Sequence, residues 1–263
     1  MYSALRMIQK YIRYYVTADN GKGHGVHSPF VFRFIQQVLN GKTSHPKFQS
    51  VEQIRKSHRA NRSSLVVEDF GAGSRVLTAR NRRVNDIART SLKPRKYATL
   101  FYRMIEFYQP RHIVELGTSL GITTAYLALP GKPVYTTEGA PAIAAVAQQT
   151  FQQLQLKNIR LIEGDFDHQL PELLKELDSV DFVYIDGNHR KAPTLDYFHQ
   201  LLERIHDDSI LIFDDIHWSA EMESAWSEIC RHPQVTTTID LFFIGIVFFR
   251  KEFLVKQHYT IRY

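Results

Sequence analysis

Between residues 111 and 250 the chain alternates between two kinds of hydrophobic spacing. Short runs of apolar, largely β-branched or aromatic residues at 112–116, 134–137, 159–163, 181–185 and 209–213 predict strands. Between them, residues 118–128, 141–156, 170–177 and 193–205 repeat their apolar positions at helical spacing. Strands separated by helices need crossover connections, so the pattern predicts parallel βαβ units with helices on both faces of a sheet. The end of the chain breaks this rhythm. After a helical stretch at 220–230, two β-rich runs at 235–241 and 244–250 follow with almost no linker. They predict an antiparallel hairpin that closes the sheet.

Upstream the pattern is less regular. A helix over about 93–108 stops at Pro110. Residues 3–16 are amphipathic, with Leu5, Ile8, Ile12 and Tyr15 on one face. A Gly-rich loop spans 19–25, and Ser28-Pro29 opens a second helix through Leu39 by the usual N-cap and first-turn proline pattern. The expected organisation is a mostly helical N-terminal extension at 1–92, a lid or dimer element, followed by an α/β domain at 93–263.

Charge sharpens this division. Residues 1–110 hold 20 Lys/Arg against 6 Asp/Glu, whereas residues 111–263 hold 13 against 21. The basic part favours either an anionic partner or attraction to the acidic part. Cys230 is the only cysteine, which rules out an intrachain disulfide and favours a reducing compartment. Arg6, Lys10 and Arg13 interrupt any signal-peptide core, and the longest apolar run, 241–249, is too short for a membrane span. A cytoplasmic location is the expectation.

The chemistry concentrates at Val114-Glu115-Leu116-Gly117-Thr118-Ser119-Leu120-Gly121. A strand runs into an acidic residue, then a turn with two glycines, then a helix. Gly117 lets the chain bend and a ligand approach the backbone. The N–H groups of the helix start suit a polar cofactor. The glycines are spaced G-x-x-x-G and not G-x-G-x-x-G. The Glu115 carboxylate repels a pyrophosphate but binds an ammonium group, so a cofactor cationic at one end is expected, and S-adenosylmethionine fits.

Over about residues 93–250 the chain resembles the class I S-adenosylmethionine-dependent methyltransferases, and within them the small-molecule O-methyltransferases of the catechol and caffeoyl-CoA type. The resemblance implies a Rossmann-like, seven-stranded α/β sheet with an antiparallel last strand. It aligns Glu115, Gly117, Thr118, Ser119 and Gly121 with the motif around the methionine part of the cofactor. Glu138, ending the second strand, takes the place of the acid that binds the ribose hydroxyls, both of which a carboxylate can accept. Gly164, Asp165 and Phe166 match the adenine-contact motif.

Asp186 and His189 in Tyr184-Ile185-Asp186-Gly187-Asn188-His189 end the fourth strand, and Asp214-Asp215 end the fifth. Metal-dependent members hold a divalent cation with an Asp at the first place and an Asp-Asn pair at the second. Here the second residue of the pair is an acid. Asp186, Asp214 and Asp215 would suit Mg²⁺ or another hard cation, with a metal-free site as the alternative. Asp186 also belongs to the expected cofactor and catalytic sets. His189 stands where catechol-type relatives place a catalytic Lys, and a histidine can take a hydroxyl proton near neutral pH. His217 is a rival for that role.

A second Gly turn at Val66-Val67-Glu68-Asp69-Phe70-Gly71-Ala72-Gly73 resembles the first motif but lacks a following strand ending in an acid. It is read as a turn of the extension, a part of the lid over the acceptor, and not as the cofactor loop. Arg75, Arg80, Arg82 and Arg83 beside it would favour a carboxylate or phosphate on the acceptor. The leading expectation is O-methylation of a small-molecule hydroxyl. A nucleic-acid methyltransferase and a non-catalytic cofactor-binding regulator remain alternatives. For the first helix, with Tyr11, Tyr14 and Tyr15 among its basic residues, packing in a lid or homodimer and peripheral contact with a membrane both stay open.

Overall fold

The computed structural model describes residues 1–69 and 78–263. The chain forms two compact units, one of Met1–Gly41 with Glu176–Tyr263 and the other of Lys42–Lys175. In the first unit, α1 (Ala4–Thr17) starts at Ser3, whose side chain accepts from the Arg6 N–H. Ser28 caps α2 (Pro29–Arg33), which runs on as a π-helical segment, Phe34–Leu39.

The second unit opens with α3 (Phe48–Ala60), the strands β1 (Ser64–Asp69) and β2 (Thr78–Arg83), α4 (Val84–Thr90) and α5 (Arg95–Tyr108). β1 and β2 pair antiparallel, from Ser64 opposite Arg83 to Asp69 opposite Thr78. The chain therefore returns along its own strand here, unlike a strand that leads into a crossover helix. The Gly71–Gly73 turn and Arg75 lie outside the described residues, as does the Arg80 side chain.

Next come β3 (Ile113–Leu116), α6 (Ile122–Ala128), β4 (Val134–Glu138), α7 (Pro141–Gln153), β5 (Ile159–Glu163) and α8 (Phe166–Glu176). β4 lies between β3 and β5, and both pairings are parallel. α3 packs on α6, and Phe48, Val51, Tyr102, Ile122 and Tyr126 join one buried cluster.

The first unit resumes with β6 (Phe182–Ile185), α9 (Lys191–Leu202), β7 (Ile210–Asp214), α10 (Ala220–Arg231), β8 (Thr237–Asp240), β9 (Ile244–Phe248) and β10 (Gln257–Thr260). β6 and β7 are parallel, and β9 pairs antiparallel with both β7 and β8. The expected closing hairpin is thus present, with its second strand against the fifth strand of the alternating series. β6, β7 and β9 are buried at every position, as strands covered on both faces must be. β10 adds a parallel strand on β8 that the hydrophobic pattern does not signal. Among the described residues no helix is long and apolar enough to cross a membrane.

Candidate functional site

Within the second unit, the glycine turn after β3 reaches over to the end of β4. Gly117 and Thr118 both donate their N–H to the Thr137 carbonyl, at 3.1 and 3.0 Å, and Gly117 sits at φ 108°. Gly121 caps α6 at φ 78°, and a Cβ there would stand 2.6 Å from the Phe151 ring. A side chain at Gly121 is excluded both by its backbone conformation and by the close approach of α7.

Glu138 ties this turn to β4. Its carboxylate accepts the Ser119 N–H at 2.9 Å and the Ala140 N–H at 3.0 Å. Burial pushes the Glu138 carboxyl up from its ordinary value, against the opposing pull of those two N–H donors and of the Arg82 charge. Two backbone donors leave a carboxylate with further lone pairs, so Glu138 retains acceptor capacity for ligand hydroxyls. Ser119 occupies left-handed backbone, φ 49°, and its Oγ is buried with no hydrogen-bond partner among the described residues.

Glu115 takes a different position from the one expected of an ammonium ligand. It is wholly buried, and its Oε2 accepts from Thr124 of α6 at 2.5 Å and from Thr136 of β4 at 2.6 Å. Glu115 lies opposite Thr136 in the β3–β4 register, so both side chains rise on the same face of the sheet. Burial pushes its carboxyl up to about 8, so the group is mostly neutral at pH 7. Glu115 braces the turn from beneath and presents no charge to solvent. Thr124 and Thr136, its partners, are the residues that sequence reasoning missed. The signal was the Thr136-Thr137 pair inside an otherwise apolar strand, because a buried hydroxyl needs a partner.

Gly164 follows β5 at φ 136°. Asp165 then caps α8: its Oδ1 accepts the His168 N–H at 3.0 Å and faces the His168 ring Nδ1 at 2.7 Å. Partial burial raises the Asp165 carboxyl, but the His168 bonds outweigh that and hold it below its ordinary value. Phe166 opens the helix half-buried.

The remaining expected residues belong to the first unit. Asp186, half-buried past the end of β6, accepts from the Tyr184 hydroxyl at 2.9 Å. His189 Nε2 stands 3.6 Å from Asp186 Oδ1, an ion-pair distance and too long for a hydrogen bond. Asp214 is buried at the end of β7. Asp215 turns the chain at φ 52°, with its N–H donated to the Phe243 carbonyl at 2.7 Å. Among the described residues, no three His, Cys, Asp or Glu side chains come together in a way that would hold a metal ion. The expected trio of Asp186, Asp214 and Asp215 is not among any such group, and Asp186 is bonded to the Tyr184 hydroxyl.

His217 is also unsuited to the base role. Its Nδ1 faces Glu223 at 3.0 Å and its Nε2 faces Asp240 at 2.7 Å. Burial works to lower its pKa, but the two carboxylates overcome this and raise it. Both ring nitrogens are engaged by carboxylates, so neither faces an open position for an acceptor hydroxyl.

Comparison with known proteins points to methyltransferases. Residues 114–216 match the family model described as a methyltransferase domain. A protein-L-isoaspartate O-methyltransferase from Magnetococcus marinus is 36% identical over 57% of this chain and 55% of its own length. The chain spans 28% to 55% of the length of the curated relatives it matches. Among solved structures, an O-methyltransferase from Bacillus cereus in complex with S-adenosylhomocysteine superimposes with TM-score 0.56 at 18% identity, covering 83% of this chain and 97% of that one. A protein assigned as a caffeoyl-CoA O-methyltransferase from Staphylococcus aureus gives TM-score 0.54 at 17% identity, over 62% of this chain and 87% of that one. The structural likenesses show a common Rossmann-like fold, and over residues 114–216 the chain is similar to a methyltransferase domain.

Proposed function

We propose that this chain is an S-adenosylmethionine-dependent methyltransferase that methylates a hydroxyl oxygen of a small molecule. The observation that carries the reading is Glu138, a carboxylate held at a strand end by the N–H groups of Ser119 and Ala140. Strand ends of this kind are where open α/β sheets bind ligands. In this reading Glu138 accepts from the two ribose hydroxyls. Ser119 and the backbone of Gly117, Thr118 and Gly121 shape the methionine end, and Glu115 stiffens the turn below them. Gly164, Asp165 and Phe166 take the adenine, Asp165 as acceptor and Phe166 as ring cover. The cofactor, when bound, supplies an electrophilic methyl group on a sulfonium.

The chain's own contribution to the reaction is to orient the acceptor and remove its proton. His189 takes the hydroxyl proton. Asp186, at 3.6 Å from His189 Nε2, stabilises the imidazolium so formed, and Tyr184 fixes that carboxylate.

The isoaspartyl methyltransferase relative favours a second reading, with a carboxylate acceptor. The two readings separate on His189. A hydroxyl must lose a proton, whereas a carboxylate is already ionised at neutral pH. Methyl transfer from radiolabelled cofactor is to be followed with catechols, hydroxy acids and an isoaspartyl peptide. Under the first reading a hydroxyl compound is labelled, and His189→Ala slows it roughly 10²–10⁴-fold, as for a lost general base. Labelling of the peptide alone, with His189→Ala as active as wild type, supports the second reading. Failure to bind the cofactor at all would overturn both.

A further inference from the structure

The first helix is turned the wrong way round for a packing element. At 100° per residue, Leu5, Ile8, Ile12, Tyr15 and Val16 fall within about 100° of arc on α1. This apolar strip faces solvent: Leu5 is 68% exposed, Ile8 55%, Ile12 57% and Val16 74%. The opposite side of the helix holds it to its own unit. Tyr14 is buried, donates to the Ile261 carbonyl at 2.5 Å and packs on Phe242 with ring centroids 5.2 Å apart. Lys10 pairs with Glu223 at 2.7 Å, and the Tyr2 hydroxyl reaches the same carboxylate at 2.8 Å. α1 is thus firmly seated through its more polar side, with its apolar side outward.

We infer that α1 lies in the surface of an anionic lipid bilayer, its apolar strip among the acyl chains and Arg6 and Arg13 against the headgroups. Charge selects this occupant. Ala4–Thr17 carries no acidic residue, and while Glu223 holds Lys10, Arg6 and Arg13 form no ion pair among the described residues. Arg6 and Arg13 flank the strip on one side, where a peripheral helix carries its headgroup contacts. At the C-terminal end, the Arg262 guanidinium stands over the Tyr15 ring, 5.4 Å from its centroid. The same two residues, with Asn20, Gly21 and Tyr263, line a shallow cleft of about 290 Å³. Arg262 lines this cleft as a cation suited to a headgroup phosphate. A second copy of the chain would instead bring the same cations against Arg6 and Arg13, with no acid on either helix to offset them. The inference concerns the surface of the first unit and does not depend on the methyl-transfer reading.

The test is sedimentation of the full chain with vesicles of phosphatidylcholine alone and of phosphatidylcholine mixed with phosphatidylglycerol. The protein should pellet with the mixed vesicles, bind neutral ones less, and be released by salt, which screens the headgroup attraction. Ile8→Glu/Ile12→Glu should lower the bound fraction roughly tenfold or more, since two side chains no longer enter the acyl region. Both positions are exposed, so an unchanged melting temperature would show that the fold survives. Arg6→Glu/Arg13→Glu should remove the preference for anionic vesicles. Wild-type protein that stays in the supernatant with both vesicle types would overturn the inference, as would equal binding by Ile8→Glu/Ile12→Glu. A dimer in light scattering that the same double variant makes monomeric would also overturn it, because a second copy would then own the strip.

Discussion

Glu115 shows how a single buried carboxyl couples this fold to pH. Its ordinary value is 4.5 and burial raises it to about 8 in the folded chain. The folded state therefore binds more protons than the unfolded state between those values, and the Glu115 contribution to stability falls as pH rises through that window. Above about pH 8 the loss is complete. Glu115→Gln keeps an acceptor for Thr124 and Thr136 but cannot ionise. Melting curves of the ligand-free protein from pH 5 to 9 should show the wild type losing stability relative to the variant, by on the order of a few kcal/mol. Parallel curves for the two proteins would mean that the carboxyl is not held neutral. The position of Glu138 was legible in the sequence because a strand, a glycine turn and a terminal acid have fixed order along the chain. The role of Glu115 was not. Its bonds run to Thr124, nine residues on, and to Thr136 across the sheet, and neither partner follows from the local pattern.

At the scale of elements, hydrophobic spacing located the strands well, and the ends of helices depended on caps. α6 starts at Ile122 because Gly121 holds a left-handed conformation just before it, so the expected start at 118 is part of the turn. α8 starts earlier than its apolar spacing suggests, since Asp165 caps it and Pro171 lies inside the helix. The β1–β2 hairpin escaped notice because its second strand, Thr78–Arg83, is largely polar and basic. α1 was legible as an amphipathic helix, but its orientation is set by partners far along the chain. Those partners give it a pH dependence. His217, with its pKa raised by Asp240 and Glu223, joins the carboxylate that also holds Lys10 and Tyr2. A raised histidine contributes stability that is full below its unfolded value near 6.5 and is lost as pH rises through the folded value. His217→Gln should therefore cost about 2 kcal/mol at pH 6, in the range of charge-assisted hydrogen bonds, and progressively less in alkaline buffer. Denaturant titrations at the two ends of that range measure the difference. A cost that does not shrink with rising pH would mean that the imidazolium is not what braces α1.

At the scale of the whole molecule, the residues proposed for cofactor and acceptor chemistry divide between the two compact units. Glu138 and Asp165 belong to the unit of Lys42–Lys175, and Asp186 and His189 to the other. Substitutions in each should fail in different ways, and thermal denaturation reads the difference. A ligand that binds only the folded chain stabilises it by about 2.7 kcal/mol at 100 times its Kd. For a protein of this size that raises the melting temperature by roughly 5–10 °C. S-adenosylhomocysteine is the probe, because it occupies the cofactor position without turnover. Glu138→Ala should lose most of the rise at the same ligand concentration. The ribose hydroxyls would lose a charged acceptor worth ~1.5–3 kcal/mol, and the Ser119 and Ala140 N–H groups would lose their partner. Glu138→Gln separates those effects: its amide oxygen still accepts but carries no charge, so it should recover part of the rise. His189→Ala should show the full rise while its methyl transfer falls. If Glu138→Ala keeps the wild-type rise, the turn after β3 is not where the ribose binds, and the cofactor assignment moves away from β4. If His189→Ala loses the rise as well, His189 serves cofactor binding and its assignment as a base fails.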